Sequence, residues 1–101
     1  MIIITGSITG RPDTIGELVT ASLEHVRRSR QEPGCISHSV HRDLENPLRL
    51  GFIEQWESPA AVQAHFAVPA SAQFVRAAMA LSDSPPGLQM FTATATALPA
   101  G

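Results

Sequence analysis

The amino-acid sequence predicts an α+β sandwich of ferredoxin-like topology, in which an antiparallel sheet carries helices on one face. Three observations lead to this fold class. The 101 residues are enough for one domain with one hydrophobic core. Strand-like and helix-like patterns follow the order β-α-β-β-α-α-β, and the right-handed crossover rule leaves few other topologies for that order. No repeat or linker divides the chain, so residues 1–101 are expected to form a single domain.

The first strand and the first helix are predicted from periodicity. A β-branched run from Met1 to Thr9 alternates as a strand does. Three isoleucines share one of its faces: Ile2, Ile4 and Ile8. A helix then begins at Asp13 or Thr14, and Thr14 forms a capping-box pattern with Glu17. It should end near Gln31, because Pro33 disfavours helical geometry in the residue before it.

A β-hairpin follows the helix. Its strands are expected at Cys35–Arg42 and Leu48–Trp56, joined by polar, turn-forming residues. One face of the first of these strands carries Ile36, His38, Val40 and Arg42. The same face of the second carries Leu48, Leu50, Phe52, Glu54 and Trp56. Glu54 interrupts an otherwise apolar row, and such local inconsistencies tend to mark functional or paired positions.

Two helices and a strand complete the chain. Ser58 and Pro59 are a natural N-cap and first helical position. The inner face of this helix carries Ala61, Val62, His65 and Phe66. Pro69 interrupts it, and a second short helix carries Phe74, Val75, Ala78 and Met79 on its inner side. The last strand is expected from Leu88 to Leu98, where threonines alternate with alanines and Phe91.

Composition excludes several classes of protein. The formal net charge of -2 and the absence of lysine argue against nucleic-acid binding, which usually needs a basic surface. The N-terminus lacks a basic signal-peptide region, and no apolar run approaches the roughly 20 residues of a membrane span. Cys35 is the only cysteine and is expected to be a buried, inert thiol, although a nearby base would make it a nucleophile. A soluble cytoplasmic protein is the simplest interpretation.

The distribution of charge predicts a homodimer. Fourteen of the sixteen charged residues precede Ser58, and only Arg76 and Asp83 lie in the final 44 residues. A monomer of this size cannot hide so long an uncharged stretch inside itself, because its surface-to-volume ratio is too high. Association through the open face of the sheet, with two-fold symmetry, would cover it.

Several short segments, in their order along the chain, resemble the antibiotic biosynthesis monooxygenase (ABM) family of dimeric α+β barrels. They are Glu32-Pro33-Gly34-Cys35, His41-Arg42-Asp43, Pro47, Phe52-Ile53-Glu54-Gln55-Trp56 and Ala64-His65. The resemblance implies a homodimeric barrel with a small-molecule pocket. It also implies one of two activities, namely oxygenation of aromatic polyketides or quinols without a cofactor, or haem degradation. Many other members of the family have no assigned activity.

The chain departs from the family pattern after His65. Family members commonly continue with a Ser-Pro-His-Phe-like segment, and here the residues are Val68-Pro69-Ala70-Ser71. A mechanism that relies on the second histidine is therefore lost, and the pocket wall is expected to be wider. The chain also contains no tyrosine, which excludes a mechanism that uses a phenol side chain.

Trp56 and His65 are the main candidate catalytic residues. Trp56 is either a core residue or a platform that stacks on a flat substrate. His65 is either a satisfied, partly buried histidine or a proton acceptor, since histidine is the usual side chain for proton transfer near neutral pH. Removing a proton from a hydroquinone would create an electron-rich anion that can pass an electron to dioxygen without a metal.

The remaining candidates surround these two. His38 either lines the same cavity or is a core histidine, and Glu54 is either a general base or a carboxylate paired with an arginine or histidine, since an unpaired buried carboxylate is costly. The apolar substrate-binding candidates are Phe52, Phe66 and Met79. His41 lies on the opposite face, at an interface or in solvent.

No bound cofactor or metal is predicted. Glycine-rich phosphate loops are absent, and a zinc site is not indicated by one cysteine and four histidines without ligand spacing on a single element. The leading hypothesis is thus a cofactor-independent monooxygenase for a small electron-rich aromatic substrate. The alternatives are a non-catalytic dimeric ligand-binding module and a haem-binding protein with His65 as axial ligand.

Overall fold

The computed structural model describes all 101 residues and confirms the predicted fold class and element order. The elements are β1 (Ile2–Thr9), α1 (Ile15–Ser29), β2 (Cys35–Arg42), β3 (Arg49–Trp56), α2 (Pro59–Ala67), α3 (Pro69–Leu81) and β4 (Gly87–Thr92). The four strands form one antiparallel sheet in the order β2-β3-β1-β4, which is the ferredoxin-like arrangement. None of the helices has both the length and the apolar character that a membrane crossing requires.

The register of the sheet places the buried side chains on the face that the helices cover. Ile4 of β1 and His38 of β2 both lie opposite Glu54 of β3. One apolar cluster contains Ile8, Leu18, Val26, Leu50, Phe52 and Ala78, and a second contains Ile2, Ile4, Trp56 and Val62. Along β3, Glu54 stands between Phe52 of the first cluster and Trp56 of the second. The polar residues of this row therefore lie between two apolar clusters.

The start of α1 differs from the predicted capping box. Thr14 is the N-cap residue, but its side chain does not cap the helix. Its Oγ1 accepts the N–H of Arg11 at 2.9 Å and donates to the carbonyl of Leu81 at 2.7 Å. The hydroxyl instead joins the start of α1 to the end of α3, so the capping-box prediction with Glu17 is wrong.

A β-bulge changes the predicted face of Ile36. Cys35 pairs with Trp56 and Ser37 pairs with Gln55, so Ile36 is the additional residue of the bulge. Ile36 is half exposed, whereas Cys35 packs against the second apolar cluster. Burial, followed by the charge of Glu32, raises the pKa of the Cys35 thiol. A thiol with a raised pKa is thiolate to only a small extent at neutral pH, and this favours the prediction that Cys35 is an inert thiol.

The last strand is shorter than predicted. It ends at Thr92, and residues 93–98 have no regular structure. Strand β4 pairs with β1 up to Thr92, which lies opposite Ile2, and Ala93 and Met1 exchange two backbone hydrogen bonds just beyond that pair. Every residue of β4 is exposed in the single chain.

Candidate functional site

An apolar cavity lies between the sheet and helices α2 and α3. Its volume is about 260 Å³. Its apolar walls include Ile8, Phe52, Phe66, Phe74, Val75 and Met79. Its titratable lining residues are His25, Glu54 and His65. Apolar walls with a few convergent polar groups are the usual construction of a small-molecule site.

Glu54 is a buried carboxylate in this lining, with 6% of its surface exposed. Its Oε1 accepts the Nε1–H of Trp56 at 3.0 Å and lies 3.3 Å from Nε2 of His38. Burial raises the pKa of Glu54, but His38 and then Trp56 outweigh it, and the net shift is downward. The contact with His38 is close but is not aligned as a hydrogen bond, and neither ring nitrogen of His38 has a hydrogen-bond partner. Glu54 is therefore ionised at neutral pH.

His65 is held by a second carboxylate. Its Nδ1 lies 2.7 Å from Oε1 of Glu32, and the two side chains are 3% and 14% exposed. Because a carboxylate oxygen accepts hydrogen bonds, Nδ1 is the ring nitrogen that carries the proton. The other ring nitrogen, Nε2, lies 4.0 Å from Oε1 of Glu54. The indole of Trp56 stacks obliquely on the imidazole, with ring centroids 4.6 Å apart. Position, tautomer and orientation of the His65 ring are thus set by three neighbours.

Sequence reasoning did not single out Glu32 or His25 as site residues. Glu32 entered only as part of the helix-to-strand turn, and it is 33 residues from His65 along the chain. His25 is buried on α1, three residues after the buried Ser22, so helical spacing was a signal that could have found it. Two contacts that only the tertiary structure creates therefore complete the site.

His25 is a neutral histidine. Its ring stacks on Phe74 with centroids 4.1 Å apart, and its Nδ1 accepts a hydrogen bond from Nη2 of Arg28 at 2.8 Å. Burial, then the charges of His38 and His65, lower its pKa to about 3. The nearest ring nitrogens of the three histidines lie within 4.8 Å of one another. They come from α1, β2 and α2, so spacing along a single element could not reveal the cluster.

The structure brings some of the sequence-predicted residues to the cavity and not others. Glu54, His65, Phe52, Phe66 and Met79 line it, with Phe66 and Met79 half exposed at its mouth. His38 and Trp56 lie behind the wall, and Trp56 has no exposed surface. Val62 and His65 of α2 pack over the indole, so Trp56 has no free face for a substrate here.

His41, in contrast, lies on the opposite face of the sheet, where its Nε2 is 2.9 Å from the hydroxyl of Ser39. The catalytic roles assigned to His38, Glu54, Trp56 and His65 stay predictions.

The sequence is similar to known proteins along most of its length. The family model described as antibiotic biosynthesis monooxygenase matches residues 1–77. An uncharacterised protein from a Synechocystis strain is 32% identical over 90 residues, covering 89% of this chain and 61% of that protein. The chain therefore spans about three fifths of the length of this curated relative.

Solved structures share the fold over nearly the whole chain. A Deinococcus radiodurans protein, provisionally assigned as an antibiotic biosynthesis monooxygenase, superimposes with a TM-score of 0.92 at 24% identity and covers 100% of both chains. A Mycobacterium tuberculosis protein gives 0.88 at 18% identity, covering 96% of this chain and 98% of its own. A Pseudomonas aeruginosa protein gives 0.83 at 26% identity, covering 93% and 94%.

Proposed function

The chain belongs to the antibiotic biosynthesis monooxygenase family, and on that premise we propose that it is a monooxygenase for a small electron-rich aromatic substrate such as a hydroquinone, working without a bound cofactor. One observation carries the proposal: Glu32 pairs with His65, whose imidazole lines the apolar cavity. A carboxylate that holds Nδ1–H presents the basic Nε2 of the same imidazole to whatever enters the cavity.

The chemistry assigned to His65 is proton abstraction. Nε2 accepts a phenolic proton from the hydroquinone, and Glu32 stabilises the imidazolium that results. The anion passes electrons to dioxygen, and one oxygen atom enters the ring. The overall reaction is hydroquinone plus dioxygen to hydroxyquinone plus water. The substrate itself supplies all four electrons, so no separate reductant is required.

The size of the cavity bears on the substrate. At about 260 Å³ it falls just below the roughly 300–1,000 Å³ of pockets that enclose drug-sized ligands. This favours a one-ring or two-ring quinol over a multi-ring polyketide. It also speaks against haem, whose macrocycle needs a larger opening. A haem titration that produces no shifted Soret band would agree.

Oxygen consumption over a panel of one-ring and two-ring quinols tests the proposal. The wild-type protein should consume oxygen, and His65→Ala should lower turnover by about 10²–10⁴-fold, the usual contribution of a general base. His41→Ala, on the far face of the sheet, is the matched control and should leave turnover unchanged. If no quinol is oxidised, the non-catalytic binding module becomes the better explanation.

The homodimer is part of the same proposal. The face of the sheet without helices exposes Ile53 and Phe91, each 48% accessible, and Leu98, which follows β4, is 91% accessible. Apolar side chains on an uncovered sheet face favour a partner. Sedimentation at micromolar concentration should give twice the 10.8 kDa chain mass, and a monomer would contradict it. A cytoplasmic location remains a prediction from composition.

A further inference from the structure

Three imidazoles and one carboxylate converge beneath the cavity. His25 of α1, His38 of β2 and His65 of α2 are all buried, and each offers a ring nitrogen within 4.8 Å of the other two. Glu54 of β3 directs Oε1 into the same space. Four different elements therefore contribute to one buried set of nitrogen and oxygen donors.

The distances to Glu54 suit two ligands of a single ion. Oε1 lies 3.3 Å from Nε2 of His38 and 4.0 Å from Nε2 of His65. Around a tetrahedral ion with bonds of about 2.0–2.1 Å, neighbouring donor atoms stand about 3.4 Å apart. The His38–Glu54 contact already has this separation. The remaining donors need to approach by about an ångström, which rotations of the side chains can supply.

His38 supplies a second, independent observation. Its side chain has no exposed surface, and neither Nδ1 nor Nε2 has a hydrogen-bond partner. Leaving a buried polar group unsatisfied costs about 1–3 kcal/mol, so native structures rarely do so without a reason. A metal ion bound at Nε2 would satisfy the nitrogen that points at Glu54.

The surroundings also resemble the outer shell of a metal site. Ligand histidines usually donate their second ring N–H to a carboxylate, as His65 does to Glu32. Ligand carboxylates are themselves hydrogen-bonded, as Glu54 is by the indole N–H of Trp56. The first arrangement leaves Nε2 of His65 free, whereas Oε1 of Glu54 would bind the ion in addition to accepting the indole N–H.

We propose that His25, His38, His65 and Glu54 form a binding site for one divalent first-row transition ion, with Zn²⁺ as the reference metal. Imidazole nitrogens with one carboxylate suit Zn²⁺ and its neighbours in the series. The site goes beyond the proposed oxygenase function and does not rest on it. An ion bound there would occupy Nε2 of His65, so the metal-loaded protein should lose the proton-acceptor role assigned to that residue.

The positive charge of Arg28 should weaken metal binding, so a variant without that charge should bind the ion more tightly. Its guanidinium donates to Nδ1 of His25, and its fixed positive charge repels a cation nearby. Arg28→Gln removes that charge and the guanidinium hydrogen bond to His25, and it replaces no proposed ligand. It should bind Zn²⁺ several-fold more tightly than the wild type.

The experiment is equilibrium dialysis of tag-free, chelator-treated protein against Zn²⁺, with Co²⁺ as a spectroscopic probe. We expect one Zn²⁺ per chain, and intense visible bands of tetrahedral Co²⁺. His38→Ala and His65→Ala should each weaken binding by at least about tenfold, and Glu32→Gln by about 10–100-fold through the outer shell. His41→Ala, which removes an exposed histidine, should bind as the wild type does.

Two results would overturn the site. The first is wild-type protein that binds no stoichiometric Zn²⁺, a measurement that needs no variant to fold. The second is binding that His41→Ala weakens as much as His38→Ala does. Circular dichroism checks that each variant is folded. If His38→Ala is not folded, His38→Asn replaces it. Zinc binding together with no quinol oxidation by the metal-free protein would support the site and count against the oxygenase, whereas quinol oxidation without zinc binding would do the opposite.

Discussion

Replacing Trp56 by phenylalanine tests whether Glu54 is stabilised as the structure indicates. The substitution keeps an aromatic ring in the second apolar cluster and removes the Nε1–H that Oε1 of Glu54 accepts at 3.0 Å. A hydrogen bond to a charged group contributes about 1.5–3 kcal/mol. The smaller ring adds about 1 kcal/mol for the cavity it leaves. We therefore expect the free energy of unfolding to fall by about 2.5–4 kcal/mol.

A double-mutant cycle separates the hydrogen bond from the packing. Trp56→Phe, Glu54→Met and the double variant are unfolded in urea and followed by far-UV circular dichroism, because Trp56 is the only tryptophan and its fluorescence is lost. The coupling energy should be about 1.5–3 kcal/mol. The exposed pair of Asp43 and Arg49, 3.3 Å apart, is the comparison, and its coupling should stay below about 1 kcal/mol. A Trp56–Glu54 coupling below about 0.5 kcal/mol would refute the reasoning.

Three further predictions concern the backbone and the single thiol. Gly34→Ala should destabilise the protein by more than about 1–2 kcal/mol, because Gly34 has φ +82° and the new Cβ would stand 2.5 Å from the Cβ of Ala61; an unchanged urea midpoint would contradict this. Gly16→Ala should raise the free energy of unfolding of the protein by about 0.5–1 kcal/mol, since Gly16 lies in helix α1 and no atom lies within 4 Å of the new Cβ. Alkylation of Cys35 by iodoacetamide near pH 8 should be slower than that of a free thiol and should accelerate as pH rises, since a raised pKa leaves less thiolate; a rate equal to the free thiol would show that the raised pKa is wrong.

Local pattern accounts for most of the fold. The predicted bounds of β2 match the observed Cys35–Arg42, and β3 begins one residue later than expected, at Arg49. These elements are set by alternation, helical spacing and turn residues, which act over a few positions. The bulge at Ile36 could not be predicted from local pattern, because a bulge depends on the register in which two strands pair.

The end of β4 shows the same limit. Threonine and alanine alternate well past Thr92, so the sequence pattern favours a longer strand. The strand ends at Thr92, opposite Ile2 at the start of β1, and only Ala93 continues the hydrogen bonding, with Met1. A strand extends only as far as another backbone is available to pair with it.

Part of the candidate site could likewise be predicted from sequence periodicity, and part depends on tertiary packing. The sequence by itself determined that His38, Glu54 and Trp56 share one face of the sheet and that His65 turns inward on α2, because side-chain direction follows from strand and helix periodicity. Only the tertiary structure decided that His25 joins them. It likewise brought Glu32 to within 2.7 Å of His65. Contacts between residues far apart in the chain depend on how helices pack on the sheet, and that packing is a property of the whole core.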